Sequence, residues 1–251
     1  MLSAGSEGVD AVVHLAGENI AGARWTERQK ARIRDSRVKG TRLLCNLLAR
    51  YSPPPKALVC ASAIGYYGDR GDEILTEESA AGSGFLSDVC REWEAATQPA
   101  VEGGIRVVNL RIGMVLSASG GGLAKMLTPF KLGAGGVMGS GRQFWSWIAV
   151  DDVVGAIHFV LTNESLRGPV NAVAPSPVTN REFTRTLGRV LSRPTLFPMP
   201  AFAARLAFGE MADALLLAST RVQPARLLAS GFTFRYPDLE GALRSQPLGA
   251  A

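Results

Sequence analysis

The sequence has few of the residues that build metal sites or disulfide frameworks. Only three of its 251 residues are cysteines and two are histidines, and no two cysteines form a C-x-x-C pair. An odd cysteine count without metal-ligand spacing argues against a zinc site and favours reduced thiols, as in the cytoplasm. We therefore expect free thiols at Cys45, Cys60 and Cys90 and no metal ion.

Long apolar runs are also absent. No uninterrupted apolar stretch approaches the roughly 20 residues that a helix needs to cross a bilayer. Residues 1–10 have neither the basic nor the apolar segment of a secretion signal. The sequence predicts a cytoplasmic protein with no membrane partner, unless an organelle-targeting segment has been lost from the amino terminus.

Acidic residues are in slight deficit, 22 against 27 basic ones, which gives a formal net charge of +5. The richest basic stretch, residues 24–42, is interrupted by Glu27 and Asp35 and is not regularly interleaved with aromatic side chains. A nucleic-acid surface needs clustered basic residues without opposing acids, so this stretch is predicted to be a solvated helix face with one or two ligand-phosphate contacts. We expect no nucleic-acid partner.

Apolar runs and helical periods alternate along the chain, which is typical of βα units and a parallel sheet. Strands are predicted at 11–15, 57–61, 106–110 and 169–173, and beyond residue 194 the composition shifts to Ala- and Leu-rich helices. The predicted fold class is α/β, a partial Rossmann fold (doubly wound parallel sheet) with a small, mostly helical C-terminal region. We place an α/β domain at 1–193 and a helical domain at 194–251.

Two helix starts carry recognisable caps. Thr26 is predicted to cap a helix that runs to about residue 50, with Ile33, Leu43 and Leu47 among the residues of its inward face. Asp151 and Asp152 stand at a later helix start, where one carboxylate caps the helix and the other complements its dipole.

Small residues follow the first predicted strand directly, at Leu15, Ala16 and Gly17. Open α/β sheets bind ligands in the crevice outside the carboxyl ends of their strands, and glycine there lets a cofactor approach the backbone closely. A tight turn without a ligand accounts for this segment equally well.

Hydroxyl side chains follow the second predicted strand, at Ser62, Tyr66 and Tyr67. A serine beside a tyrosine can polarise a carbonyl while the phenol moves a proton, provided that a nearby cation lowers the phenol pKa from its usual value of about 10. The alternative is a loop in which the tyrosines pack on glycine.

Two further segments suit a nucleotide-bearing ligand. Arg111, Gly113 and Val115 close the third strand, and Arg142 and Gln143 lie on a later glycine-rich turn that leads into aromatic residues. The planar guanidinium of arginine fits phosphate, and tryptophan faces suit a stacked ring.

Taken in order, these segments resemble the atypical branch of the extended short-chain dehydrogenase/reductases, the NAD(P)-dependent epimerase family. The most particular marks are His-Leu-Ala-Gly-Glu-Asn at 14–19, Ser-Ala-Ile-Gly-Tyr-Tyr-Gly at 62–68, Trp-Glu-Ala-Ala at 93–96, Gly-Ser-Gly-Arg-Gln at 139–143 and Pro-Ala-Arg-Leu-Leu-Ala-Ser-Gly-Phe at 224–232. The resemblance covers nearly the whole chain.

The resemblance implies NADP or NAD bound on a Rossmann sheet, with a small-molecule substrate beside it. It implies that Ser62 and one of Tyr66 or Tyr67 face the nicotinamide and that Arg142 and Gln143 hold a nucleotide-sugar or similar substrate. Cofactor contacts are implied for Leu15, Ala16, Gly17, Arg37, Arg111, Gly113 and Val115.

The sequence departs from the family pattern in two places. The helix after the Ser-bearing strand lacks the family's tyrosine and the lysine four residues later, and no G-x-x-G-x-x-G phosphate-binding loop precedes residue 11. The first recognisable strand resembles the family's fourth, so we expect a truncated chain whose dinucleotide binding is impaired. The strand at 11–15 is then expected to present an apolar edge for homodimer formation or other strand pairing.

Two functions remain open. The first is an NAD(P)-dependent oxidoreductase or epimerase acting on a small or nucleotide-linked carbonyl or hydroxyl substrate. The second is a non-catalytic NADP(H)-binding regulator, similar to the relatives that are labelled cell-division inhibitors, because the missing tyrosine and lysine leave no obvious acid.

Overall fold

The computed structural model describes residues 8–248. In chain order its strands are β1 (Ala11–His14), β2 (Ala57–Ala63), β3 (Ile74–Leu75), β4 (Arg106–Ile112), β5 (Met114–Leu116), β6 (Phe144–Trp145), β7 (Trp147–Ala149), β8 (Gly168–Ala172), β9 (Val178–Thr179) and β10 (Arg221–Val222). Its helices are α1 (Glu27–Leu48), α2 (Phe85–Ala95), α3 (Gln98–Glu102), α4 (Gly121–Lys131), α5 (Val150–Thr162), α6 (Asn180–Val190), α7 (Ala201–Phe208), α8 (Ala225–Ala229) and α9 (Leu239–Arg244). A 3₁₀ turn covers Ile64–Tyr67 and a π-helical turn covers Ala212–Leu217.

The main sheet has four strands in the order β1-β2-β4-β8, and all three pairings are parallel. Alternate side chains of β2 and β4 point to opposite faces. One face packs Leu58, Cys60 and Val107 against α1, α2 and α3, and the other packs Val59 and Val108 against α5. The predicted α/β class is confirmed, and the carboxyl ends of the four strands meet at one edge.

Helix α1 begins where the sequence predicts, because the Thr26 side chain accepts a hydrogen bond from the Gln29 N–H. Its buried face includes Ile33 and Cys45, whereas Leu43 and Leu47 are 63% and 60% exposed. The inward stripe predicted from the leucines is therefore wrong at these two positions. Two residues span about 200° of a helix, so Leu43 points away from the face that Cys45 buries.

Strand β1 is the edge strand of the main sheet. Its Val13 is 41% exposed, and Leu15 just after it is 53% exposed. This arrangement agrees with the apolar edge that the sequence predicts, while pairing of that edge with another chain stays a prediction. Within residues 8–248, no helix is both long and apolar enough to cross a membrane.

The carboxylate of Asp152 attaches the C-terminal region to α5. Asp152 is 2% exposed, and its two oxygens accept hydrogen bonds from the Arg235 N–H at 2.7 Å and the Tyr236 N–H at 3.0 Å. The neighbouring Phe234 packs into the cluster under α5. The prediction that Asp151 or Asp152 caps this helix is wrong, because α5 begins after Ala149 without a side-chain cap and Asp152 instead bonds a segment 83 residues away.

We predict that Asp152→Ala lowers the free energy of unfolding by about 1–3 kcal/mol, since it removes the buried acceptor of two part-buried N–H groups. Asp151→Ala is the matched control, because Asp151 is exposed and makes only a long ion pair, 3.9 Å, with one guanidinium nitrogen of Arg235. This variant should change the free energy of unfolding by less than about 0.5 kcal/mol. Urea unfolding followed by circular dichroism measures both. Equal losses in the two variants would contradict the anchoring role of Asp152.

Candidate functional site

The predicted site residues lie at the edge of the sheet where the parallel strands end. Leu15–Gly17 follow β1, Ser62 lies near the end of β2 with Tyr66 and Tyr67 in the turn beyond, and Gly113 separates β4 from β5. Since β1, β2 and β4 are adjacent and parallel, these segments share one edge. The structure thus brings together residues from three strand ends.

The segment after β1 is supported by Arg37 from α1. Leu15, Ala16 and Gly17 are exposed, and the Arg37 Nη1 donates hydrogen bonds to the carbonyls of Glu18 at 2.9 Å and Ile33 at 3.2 Å. A Cβ on Gly17 would lie only 3.1 Å from the Arg37 Cζ. Arg37 therefore holds this backbone in place, and burial lowers the pKa of its guanidinium.

Five polar side chains form one connected network beneath the strand ends. The Ser62 hydroxyl donates to Glu94 Oε1 at 2.7 Å, and Arg111 donates to both Glu94 oxygens, from Nε at 2.8 Å and from Nη2 at 2.9 Å. Arg111 Nη1 donates to the Tyr67 hydroxyl at 3.0 Å, and this hydroxyl donates to Asn171 Oδ1 at 2.7 Å. The network links β2, α2, β4, the 3₁₀ turn and β8.

Burial and the ion pair with Glu94 shift pKa values in this network in opposite ways. Burial disfavours the charged form of Arg111, but its hydrogen bonds and charge attraction to Glu94 outweigh burial and raise the pKa of the guanidinium above its usual value. Burial also raises the pKa of the Tyr67 phenol, although Arg111 partly opposes this shift. Arg111 is thus a fixed cation at neutral pH, and Tyr67 is a neutral phenol whose proton is held by Asn171.

Tyr66 differs from the other two predicted catalytic hydroxyls. Ser62 and Tyr67 are 3% and 0% exposed and their hydroxyls bond inside the protein, whereas Tyr66 is half-buried. Among the residues that the structure describes, none hydrogen-bonds the Tyr66 hydroxyl. Its ring lies against the Arg111 guanidinium, with Cζ 3.5 Å from the ring centroid, and meets the Tyr67 ring edge-on at 5.3 Å.

Gly113 is required by the close crossing of three segments. A Cβ there would lie 2.7 Å from the Ser146 carbonyl oxygen and 2.8 Å from Val173 Cγ1. The Gly113 N–H donates to the Ala172 carbonyl at 3.0 Å, which continues the pairing with β8. Val115, two residues on, packs against the cluster under α5. These contacts account for Gly113 through packing, and its predicted cofactor contact stays a prediction.

The two predicted substrate residues on the glycine-rich turn, Arg142 and Gln143, differ in exposure. Gln143 is 6% exposed, and its Nε2 donates to the carbonyls of Met138 at 3.0 Å and Leu216 at 3.1 Å. Arg142 is exposed, and within the described part of the chain its guanidinium forms no ion pair. Arg142 is therefore available to a ligand, whereas Gln143 ties the turn to the π-helical turn.

Sequence reasoning missed the partners that hold the site together. Glu94 lies in the Trp-Glu-Ala-Ala motif, but only the fold places it beside Arg111. Asn171 carries no motif at all. The Ser219–Gln223 segment also braces the site, because Ser219 Oγ donates to Gly71 O at 2.6 Å and Thr220 Oγ1 donates to Gly68 O at 3.0 Å. No local pattern in the sequence signals these contacts.

The three cysteines are buried, and His14 is partly buried. All three cysteines are buried free thiols, and burial raises the pKa of Cys60 and of Cys90 to about 12. His14 Nε2 lies 3.0 Å from the Thr41 hydroxyl, and burial lowers the pKa of its imidazole. Residues 8–248 contain no group of three or more His, Cys, Asp or Glu side chains placed to hold a metal ion.

We predict that Tyr67→Phe lowers the free energy of unfolding by about 1–3 kcal/mol, because it leaves Asn171 Oδ1 and one Arg111 N–H without a partner in the interior. Tyr66→Phe is the matched control in the adjacent residue, and we expect it to leave stability within about 0.5 kcal/mol. Chemical denaturation of the two variants makes the comparison. A larger loss in Tyr66→Phe would contradict the assignment of the two hydroxyls.

Comparison with protein-family models gives two matches. The model described as the NAD dependent epimerase/dehydratase family matches residues 3–172. A domain of unknown function, DUF1731, matches residues 199–246. The chain is 46% identical to the epimerase family protein Mb2239 of Mycobacterium bovis, over 94% of this chain and 77% of that protein. It is 37% identical to human epimerase family protein SDR39U1, over 97% of this chain and 84% of the human protein.

Comparison with solved structures also finds members of the epimerase family. The crystal structure of human SDR39U1 (isoform 2) with NADPH superposes with a TM-score of 0.91 at 36% identity, over 97% of this chain and 83% of that one. A nucleoside-diphosphate sugar epimerase from Corynebacterium glutamicum gives 0.76 at 40% identity, over 94% of this chain and 46% of that one. At 17% identity, the Thermus thermophilus UDP-glucose 4-epimerase shares the fold, with a TM-score of 0.72 over 94% of this chain and 76% of that one. The chain belongs to the NAD dependent epimerase/dehydratase family.

Proposed function

We propose that the protein is an NADP(H)-dependent oxidoreductase or epimerase acting on a small or nucleotide-linked carbonyl or hydroxyl substrate. The observation that carries this proposal is that exposed Gly17 follows β1 and Tyr66 follows the adjacent parallel β2, so both lie at one edge of the sheet, with the Tyr66 hydroxyl unbonded among the described residues. That edge is where open α/β sheets bind their ligands. The human relative, solved with NADPH, supports NADP over NAD.

The strand ends fit a dinucleotide. Leu15, Ala16 and Gly17 expose backbone after β1, and the missing Cβ of Gly17 lets the Arg37 guanidinium lie directly against that backbone. Gly113 and Val115 border the same edge from β4 and β5. When bound, the nicotinamide gives or takes a hydride, and the protein supplies orientation and charge. Arg37 contributes by holding the backbone at Gly17 and Glu18 in place.

Tyr66 is the proposed proton donor to the reacting oxygen. Its hydroxyl is free to hydrogen-bond a substrate oxygen, whereas the hydroxyls of Ser62 and Tyr67 are committed to Glu94 and Asn171. Ser62 and Tyr67 then support the site by fixing the network beneath Tyr66. Arg142 meets an anionic part of the substrate, and Gln143 keeps the turn that carries Arg142 in place.

One observation favours a second candidate, a non-catalytic NADP(H)-binding regulator. Two of the three hydroxyls predicted for catalysis are bonded inside the protein, and α2 carries neither tyrosine nor lysine. A site of this kind can bind the dinucleotide without moving a proton.

We predict that the protein oxidises NADPH in the presence of one or more members of a carbonyl panel and that Tyr66→Phe lowers kcat by about 10²–10⁴-fold, the usual contribution of a positioned proton donor. Tyr236→Phe, in the C-terminal region, should leave kcat unchanged. Loss of NADPH absorbance at 340 nm follows turnover, and quenching of tryptophan fluorescence gives the Kd for NADPH. Turnover that survives in the Ser62→Ala, Tyr66→Phe double variant would sink the site assignment.

The same titration separates the remaining alternatives. Tight NADPH binding without turnover on any carbonyl favours the regulator. Weak NADPH binding would contradict both candidate functions of this chain. Cytoplasmic location, the domain division at 193/194 and dimer formation through the β1 edge stay predictions.

A further inference from the structure

Each nitrogen of the Arg111 guanidinium forms a hydrogen bond. The Nε and Nη2 atoms bond the two oxygens of Glu94, and the Nη1 atom bonds the Tyr67 hydroxyl. The Cζ atom lies over the Tyr66 ring at 3.5 Å from its centroid, closer than its 5.2 Å to the Tyr67 ring centroid. Arg111 is 3% exposed, so it has little surface left with which to contact a cofactor.

We propose that Arg111 is the positioning residue for Tyr66, and that its guanidinium, held on strand β4, is the cation against which the Tyr66 ring is placed. The inference rests on the proposed role of Tyr66. Helix α2 provides Glu94, which orients the cation.

The geometry explains why arginine is needed here. Only a planar group can bond a carboxylate with two parallel N–H groups and stack its face on a ring at the same time. The cation–π attraction is strongest where water is excluded, and Arg111 is almost fully buried. A lysine ammonium could replace the charge but neither the double hydrogen bond nor the stack.

The orientation of Arg111 is itself fixed by Glu94, which Ser62 holds in place. Ser62 donates to the same Glu94 oxygen that accepts from Arg111 Nε, so the carboxylate is held by two elements, β2 and β4. Glu94 is 13% exposed in its side chain, which limits its freedom to rotate. Tyr66 therefore rests on a cation whose position the sheet and α2 jointly determine.

Fluorine NMR tests this placement without any need for turnover. The protein has four tyrosines, so uniform 3-fluorotyrosine labelling gives four sites, and the signal that Tyr66→Phe removes is that of Tyr66. We expect Arg111→Lys and Glu94→Gln to move or broaden the Tyr66 signal. Arg106→Lys is the matched control, because Arg106 also lies on β4 but bonds the carbonyls of Val160, Leu161 and Leu166 at the end of α5.

Kinetics on an active carbonyl provides the second readout. Displacement of Tyr66 should lower kcat by about 10²-fold in Arg111→Lys, because small misplacements of a reacting group are costly, while KM stays within about twofold. Arg106→Lys should keep the wild-type kcat. A Tyr66 signal unchanged in folded Arg111→Lys overturns the proposal, as does an equal loss of kcat in the control.

Two further cases, a variant that does not fold and a protein without turnover, also have defined outcomes. If Arg111→Lys does not fold, the wild-type protein is used: stacking on Tyr66 shifts the Arg111 Nε–H proton upfield, and Tyr66→Leu should remove that shift. An unshifted proton in the wild type overturns the proposal. If the Tyr66 signal responds as expected but no carbonyl is ever turned over, the placement by Arg111 stands and the proposed enzymatic function fails.

Discussion

The ion pair between Arg111 and Glu94 is the interaction on which the arrangement of the strand ends depends. Arg111 is buried and the Glu94 side chain is 13% exposed, and removing Glu94 would leave an uncompensated charge in the interior, at a cost of up to about 3–5 kcal/mol. Through Ser62, Tyr67 and Asn171 the same pair joins the carboxyl ends of β2, β4 and β8. Its value lies in holding three strand ends and one helix in a single geometry.

The network continues into the C-terminal region. Asn171 donates from Nδ2 to the Gln223 carbonyl and from its N–H to Glu77 Oε1, which also accepts from the Arg226 N–H at the start of α8. The second oxygen of Glu77 is buried without a partner among the described residues. The C-terminal segment is therefore bonded into the base of the site, so its docking and the placement of Tyr67 are coupled by shared hydrogen bonds.

The sequence was sufficient for features that depend on local chemistry. Thr26 caps α1 as its position before the helix predicts, and Thr179 with Glu182 forms a full capping box at the start of α6. The leucines at 43 and 47 misled because hydrophobicity alone does not say which helix face the sheet covers. The sequence predicted where the site lies, at the carboxyl edge of a parallel sheet. It did not predict which hydroxyl groups of the site are hydrogen-bonded inside the protein.

That last distinction comes from long-range geometry. Ser62, Tyr66 and Tyr67 lie within six residues, yet Glu94 and Asn171, 32 and 104 positions from their partners, decide which hydroxyls are occupied. Adjacent residues in a 3₁₀ turn point about 120° apart, so Tyr67 enters the interior while Tyr66 stays on Arg111. The chemistry of a serine–tyrosine motif therefore depends on the buried partners that bond its hydroxyls. Here these partners leave the Tyr66 hydroxyl as the one without a bond among the described residues.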